Sequence, residues 1–376
     1  VAERKGTIYM PVSITFKREE WRRAMHWYKD NPYFYYPYVF ASPFVTGMNK
    51  TRDADFPEAD YIVADSGGFQ ISKLGKKVSC LDVLEWQVKK IKANVAFTVD
   101  VPAYAYRSEV DNLKYYPEDD FKKYMEISNA NAWTAASKLE EYKSEGYKDT
   151  QIWAVIQGGN YNDMMKWHEH LTKTYGEFPG YTFPMWSSFN PAYQQNWLSQ
   201  LQFAKEIGTN FHFLGKCEPL LVVIFAKMAH KFKRFYTYDT SSAAMGLMMG
   251  KYHDPYYLSS LSYTKKNLEA QVKFDMDGPN PCDCPVCSKH TVNEMINNYY
   301  PMLLHNVYVR KRWNDYVNVM VQDDECFDDI INKILRLQPV YRKNKETYKD
   351  GINHLIYGEP KRQDGLGDID TDNEWN

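Results

Sequence analysis

No apolar run in this chain approaches the ~20 residues needed to cross a bilayer, and the first residues lack a basic segment followed by an apolar one. Neither a membrane span nor a secretory signal is expected, and the cytoplasm is the expected location. Internal repeats and low-complexity tracts are missing too, which argues against a solenoid or a disordered linker. Cysteine is scarce at 6 of 376 residues, and three of the six crowd into positions 282–287. That crowding is poor material for a disulfide framework and good material for a metal site. Strong charge of one sign is also missing. A formal net charge of −2 excludes a uniformly basic nucleic-acid binder, although local basic runs at 227–234, 310–312 and 342–345 and an acidic stretch at 364–374 remain. Such runs are ordinarily solvated faces.

The sequence does have an apolar content of 44%, a charged content of 25%, and an unusual 31 tyrosines. This is the balance of a folded globular chain, long enough for one large α/β core with an appended element. Short β-rich runs at 61–64, 95–99, 152–156, 211–214 and 235–238 alternate with segments that read as helices, at 81–93, 117–146, 162–175, 192–207 and 219–230. Proline near a helix start and glycine at its end support these limits. Alternation of this kind predicts βα units and parallel strands.

Asp65, Asp100, Gln157 and Asp239 each follow one of the apolar runs, at the C-terminal strand edge. In a (β/α)8 barrel that edge is the mouth where side chains from several strands meet. An open doubly wound sheet also places ligands at this edge, so the pattern admits both. The segment 275–281, Asp-Met-Asp-Gly-Pro-Asn-Pro, breaks regular structure ahead of the cysteine cluster. It divides the chain into a barrel over 1–275, a zinc-binding subdomain over 276–315, and a barrel-closing helix with an acidic tail over 316–376.

Cys282, Cys284 and Cys287 form a Cys-x-Cys-x-x-Cys knuckle, and His305 follows 18 positions later. Three thiolates and an imidazole suit one tetrahedral zinc ion in a structural role, since no position is left open for water or substrate. Free thiols or a redox pair are the alternatives. His290 is a nearer candidate for the fourth ligand.

Asp65-Ser66-Gly67-Gly68-Phe69-Gln70 is the most distinctive segment. Its paired glycines allow a sharp turn close to a flat ligand, and its polar side chains flank an aromatic ring, although Asp-Ser-Gly-Gly is also an ordinary turn. Together with Asp100 after Phe97-Thr98-Val99, Gln157-Gly158-Gly159 after Val155-Ile156, Asp239 in Tyr238-Asp239-Thr240, and the downstream cysteine-histidine pattern, it resembles the tRNA-guanine transglycosylase superfamily. The resemblance covers roughly residues 60–310.

That resemblance implies a TIM barrel with a zinc subdomain inserted near its C-terminal end, and it points to His305 rather than His290 as the fourth ligand. It implies that Asp239 attacks the anomeric carbon of a nucleoside and that Asp65 moves protons on the departing and arriving bases. Substrate contacts are implied for Ser66, Phe69, Asp100, Gln157, Gly158 and Leu214. Asp100 would accept from the ring N–H and exocyclic amine of a guanine-like base, while Gln157 and the Gly158 amide would meet its carbonyl edge. Phe69 and Leu214 would cover the two faces of the base.

The implied partners are a nucleic acid and a free 7-deazaguanine base, with a second copy of the chain as a further candidate. The tRNA enzymes of bacteria carry a Gly-Gly-Leu segment and an arginine-bearing loop after the nucleophile, whereas here 178–182 reads Phe-Pro-Gly-Tyr-Thr and 240–244 reads Thr-Ser-Ser-Ala-Ala. The spacing to His305 is nearer the archaeal branch. The missing RNA-gripping parts favour the DNA-modifying branch of bacteria and phages, with the Tyr-rich stretch 33–38 and the basic runs helping to hold the strand. Action on tRNA, or a noncatalytic subunit that keeps barrel and zinc, are the other readings.

Overall fold

The computed structural model describes residues 6–13, 25–68, 70–71, 75, 77–102, 118–158, 160–185, 196–215, 218–240, 243, 251–253, 260–262, 282–342 and 344–358. Eight short runs rich in β-branched and aromatic residues form parallel strands: β1 (Gly6–Pro11), β2 (Tyr38–Ala41), β3 (Tyr61–Ala64), β4 (Val95–Phe97), β5 (Gln151–Val155), β6 (Gly180–Pro184), β7 (Asn210–Leu214) and β8 (Phe235–Thr240). Neighbours follow chain order from β2 to β8, and β8 then pairs with β1, Gly6 opposite Phe235. The ring closes where Val12 bridges Phe40 and the Ser13 amide donates to the Phe40 carbonyl at 2.8 Å. A (β/α)8 barrel results, which decides the alternative that the sequence pattern left open.

Around the strands lie α1 (Cys80–Glu85), α2 (Glu118–Ser144), α3 (Tyr161–Tyr175), α4 (Asn196–Ile207) and α5 (Pro219–Lys231). Ser79 opens α1 with a reciprocal cap to Asp82, and Asn160 caps α3 through the Asp163 amide. The sequence predicts regular helix over 81–93, but α1 passes into a π-helical turn, Trp86–Lys90. The wider turn accompanies an inward Gln87, whose Nε2 donates to the carbonyls of Ala64, Asp65 and Phe97 at 3.2, 2.9 and 2.9 Å. The ends of β3 and β4 are thereby tied together directly beneath Asp65.

Alternate residues of each strand face the lumen or the helices, as the period of two requires. Met10, Phe40, Val63, Val95, Phe97, Trp153, Val155 and Phe235 fill the lumen, while Ile62, Ala64, Ile152, Ala154, Tyr236 and Tyr238 join the larger core under the helices. This interior is packed, so ligand access is confined to the mouth.

After a small antiparallel pair, β9 (Lys251–His253) with β10 (Ser260–Ser262), come α6 (Val292–Asn297), α7 (Tyr299–Met320), α8 (Asp324–Leu337) and α9 (Lys345–Tyr357). Helix α7 reaches back to the first strand. Asn318 donates to the Thr7 carbonyl at 2.9 Å and accepts from the Thr7 amide at 3.0 Å, and Asn314 donates to the same carbonyl at 3.2 Å. No helix among the described residues is long and apolar enough to cross a membrane.

Candidate active site and metal centre

Four strands deliver polar side chains to the barrel mouth. Asp65 directly follows β3, while Asp100 and Gln157 come a little after β4 and β5. Asp239 lies inside β8 rather than just beyond it, because the strand runs on to Thr240. These groups are close enough to act on one another: the charges of Asp239 and Asp100 both raise the pKa of Asp65.

Asp65 keeps part of its surface open, yet its carboxyl is poorly hydrated. Burial, followed by the charge of Asp239, pushes its pKa to about 7, opposed by a hydrogen bond from the buried Ser42 hydroxyl at 3.0 Å and one from the Gly67 amide. A carboxyl poised near neutrality can both give and take a proton. Gly67 adopts φ +68°, and a Cβ there would lie 2.6 Å from the Phe44 ring, so the turn behind Asp65 requires glycine.

Asp100 is buried and receives Gln157 Nε2 on Oδ2 at 2.5 Å and the Ser66 hydroxyl on Oδ1 at 3.3 Å. Ser66 Oγ in turn accepts from the Gly68 amide at 3.1 Å. A Cβ on Gly68 would stand 2.3 Å from Asp100 Oδ1, so this close approach also requires glycine. Burial raises Asp100 to about 6 against the hydrogen bonds from Gln157 and Ser66. Gln157 is buried, and its Oε1 has no hydrogen-bond partner among the described residues; Gln70 Oε1 is in the same position. A buried acceptor left unpaired costs roughly 1–3 kcal/mol, which a ligand N–H would recover.

Asp239 is buried, and its Oδ1 accepts from the Gly215 amide at 2.7 Å and faces His212 Nε2 at 3.2 Å. Sequence reasoning missed His212. The available signal was a histidine in the otherwise apolar core of β7 and a threonine two residues before Asp239 in β8. Such polar residues on a lumen-facing strand position need a partner.

Cys282, Cys284, Cys287 and His305 are all buried, and their ligand atoms lie within 4.8 Å of one another. His305 Nδ1 is 3.3 Å from Cys284 Sγ and 3.1 Å from Cys287 Sγ, while its Nε2 meets the His253 carbonyl at 2.8 Å. A carbonyl can only accept, so Nε2 carries the proton and Nδ1 presents its lone pair to the sulfurs. Tyr252 stacks on the imidazole at 3.8 Å, and the Cys287 amide donates to Cys284 Sγ at 3.3 Å. Hydrogen bonding among the sulfurs pulls the Cys282 thiol far down, and it raises Cys284 to about 11 and Cys287 further still. Three buried sulfurs competing for protons around one imidazole lone pair are a donor set that fits one metal ion. His290 is not in the cluster: its Nε2 meets the Tyr33 hydroxyl at 2.7 Å and its Nδ1 lies 3.6 Å from Glu294.

Of the other expected contacts, Gly158 is buried beside Gln157 and Leu214 packs partly exposed against the lumen cluster. Phe69 lies outside the described residues. The Tyr-rich stretch enters β2 at the end of the barrel opposite the mouth, where the Tyr36 hydroxyl donates to the Tyr9 carbonyl and that of Tyr35 to the Glu58 carbonyl. These two hydroxyls are spent inside the fold. Lys227, in the first basic run, is also buried, bound to the Val321 carbonyl at 2.8 Å and paired with Asp324. Within the stretch 178–182, Gly180, Tyr181 and Thr182 open β6.

No family model matches the chain. Among curated proteins it is similar to the tRNA-guanine(15) transglycosylase of Methanococcus aeolicus, at 24% identity over 304 residues, 78% of this chain and 41% of that protein. The enzymes of the same name from Methanosarcina mazei (23% over 344 residues, 88% of this chain and 56% of that one) and Saccharolobus solfataricus (22% over 317, 80% and 57%) are similar at the same level. The chain spans about half the length of the curated relatives it matches. These distant relatives support the superfamily resemblance carried by the motifs.

Proposed function

We propose that this chain is a guanine transglycosylase that replaces guanine in a nucleic acid with a 7-deazaguanine base. The observation that carries the reading is the meeting of Asp65 and Asp239 in the barrel mouth beside a buried set of groups suited to a purine edge. Asp239 attacks C1′ of the nucleoside, the glycosidic bond breaks, and its electron pair leaves with guanine, which takes a proton from Asp65. An aspartyl-nucleoside ester results. The incoming base gives its proton to the Asp65 carboxylate and attacks C1′ from the opposite face, so the ester breaks and Asp239 is regenerated. A carboxyl near pH 7 suits both directions of that proton transfer.

Asp100 accepts from the two N–H donors of the base edge. In doing so it releases Gln157, whose Nε2 turns with the Gly158 amide to the base carbonyl, with Ser66 holding the Asp100 carboxylate. Phe69 and Leu214 cover the faces of the ring. The cysteine-histidine cluster would hold one structural zinc ion, whose charge would permit all three thiolates at once.

DNA is the polymer proposed, because the stretch after Asp239 lacks the arginine of the tRNA-gripping loop. The target deoxyguanosine would be extruded from its stack, at a cost of a few kcal/mol. Action on tRNA is the second reading, favoured by the names of the relatives. Labelled guanine and 7-cyano-7-deazaguanine offered with DNA and tRNA in parallel separate them. Label in DNA supports the proposal, label only in tRNA replaces the polymer, and label in neither favours a noncatalytic subunit.

A further inference from the structure

We infer that His212, a residue outside the motifs, is a positioning residue that sets the orientation of the Asp239 carboxylate by donating its Nε2 hydrogen to Oδ1, while its Nδ1 accepts from the Thr237 hydroxyl. The inference rests on the proposed role of Asp239, but its geometry is independent of that role.

Strand register supplies the arrangement. His212 of β7 lies directly opposite Thr237 of β8, and Asp239 is two residues further along β8, on the same face. One imidazole can therefore reach both side chains, and it does: Nδ1 is 2.8 Å from Thr237 Oγ1 and Nε2 is 3.2 Å from Asp239 Oδ1. The ring has little freedom, with Phe40 stacked at 5.3 Å and Phe97 tilted against it at 4.8 Å.

An ionised carboxylate only accepts, so Nε2 carries the hydrogen. Burial disfavours the imidazolium and holds the ring neutral, which leaves Nδ1 as an acceptor for the Thr237 hydroxyl. The Gly215 amide donates to the same Oδ1 at 2.7 Å. Two donors from β7 and its exit converge on one carboxylate oxygen and fix its plane, much as a buried acceptor orients a catalytic imidazole in reverse. A group held in its reacting orientation loses less freedom on the way to the transition state.

The test uses side chains that place an amide nitrogen at one ring position or the other. Glutamine mimics Nε2 and reaches Asp239, whereas asparagine mimics Nδ1 and reaches only Thr237. In the intact protein, His212→Asn should lower the rate of aspartyl-nucleoside formation by about 10–100-fold with the KM for the base within about twofold, and His212→Gln should recover most of the rate. Equal loss in both variants, or a loss confined to KM, would overturn the positioning role. Nitrogen NMR of the imidazole gives a reading that needs no activity: a protonated Nε2 that loses its preference in Asp239→Ala supports the inference, and a protonated Nδ1 in the unaltered protein overturns it. A protein that exchanges base on neither polymer yet keeps the protonated Nε2 would instead sink the proposed function.

Discussion

Ser42→Ala is the most informative single perturbation of the mouth, because it removes one atom that touches one reacting group. Ser42 is buried before the turn at Pro43–Gly47, and its hydroxyl donates to Asp65 Oδ2 at 3.0 Å. Its backbone amide is held separately by Thr46 Oγ1 at 2.9 Å, a bond that alanine keeps. The hydroxyl stabilises the ionised carboxyl, so removing it raises the Asp65 pKa. A hydrogen bond to a charged acceptor contributes about 1.5–3 kcal/mol, and one pKa unit corresponds to ~1.4 kcal/mol, so the rise is about 1–2 units. In a single-turnover assay, formation of the aspartyl-nucleoside needs protonated Asp65 and should fall with rising pH, with a midpoint near the value of about 7 given by burial and Asp239. In Ser42→Ala that descending limb should move to higher pH by the same one to two units, roughly. The return step, attack by the incoming base, needs ionised Asp65, and its ascending limb should move the same way. A limb that stays in place, or moves to lower pH, would refute the assignment of Asp65 as the proton carrier.

Two further outcomes bear on the same site and on the metal centre. Asp239→Asn should abolish covalent trapping on nucleic acid and, by removing a neighbouring negative charge, lower the Asp65 pKa; carboxyl NMR would read the second effect even without activity, and unchanged trapping would remove Asp239 as nucleophile. Native mass spectrometry should find one zinc ion per chain, lost in His305→Ala together with a marked fall in melting temperature; full zinc content in that variant would require a different ligand set.

Much of the candidate site is legible in the sequence, for a physical reason. A carboxylate or carboxamide following an apolar strand is a costly placement unless the strand ends at a wet mouth, so Asp65, Asp100 and Gln157 marked strand ends, and together with Asp239, which lies inside β8, the candidate site. The missed strands lacked that contrast. β1 ends in proline with no site residue behind it, β2 is hidden in a Tyr-rich run that reads as a surface, and β6 follows a Phe-Pro-Gly segment that reads as a loop. His212 was missed because a lone histidine inside an apolar strand gives no sign of its partner until register puts Thr237 opposite it. The fourth member of the metal-binding cluster is a different case: spacing alone left both His290 and His305 open, the family resemblance pointed to His305, and the structure places His305 rather than His290 with the three cysteines, its Nε2 on the His253 carbonyl.

The carboxylates that make the mouth useful should also make it a weak point of the fold. Asp65 is raised from 3.8 to about 7 by burial and by Asp239, and Asp100 from 3.8 to about 6 by burial. A raised carboxyl means that the folded chain binds more protons than the unfolded one between the two pKa values. The contribution of these two groups to stability is therefore greatest below the unfolded value near 4 and declines as pH rises toward 7. Asparagine at position 65 has no such titration, so Asp65→Asn should match the unaltered protein in acid and exceed it in melting temperature from neutral pH upward, with the gap opening across that interval. A gap that is constant with pH, or that opens in acid, would mean that Asp65 is ionised in the fold without penalty. The proton chemistry proposed for it would then lack its physical basis.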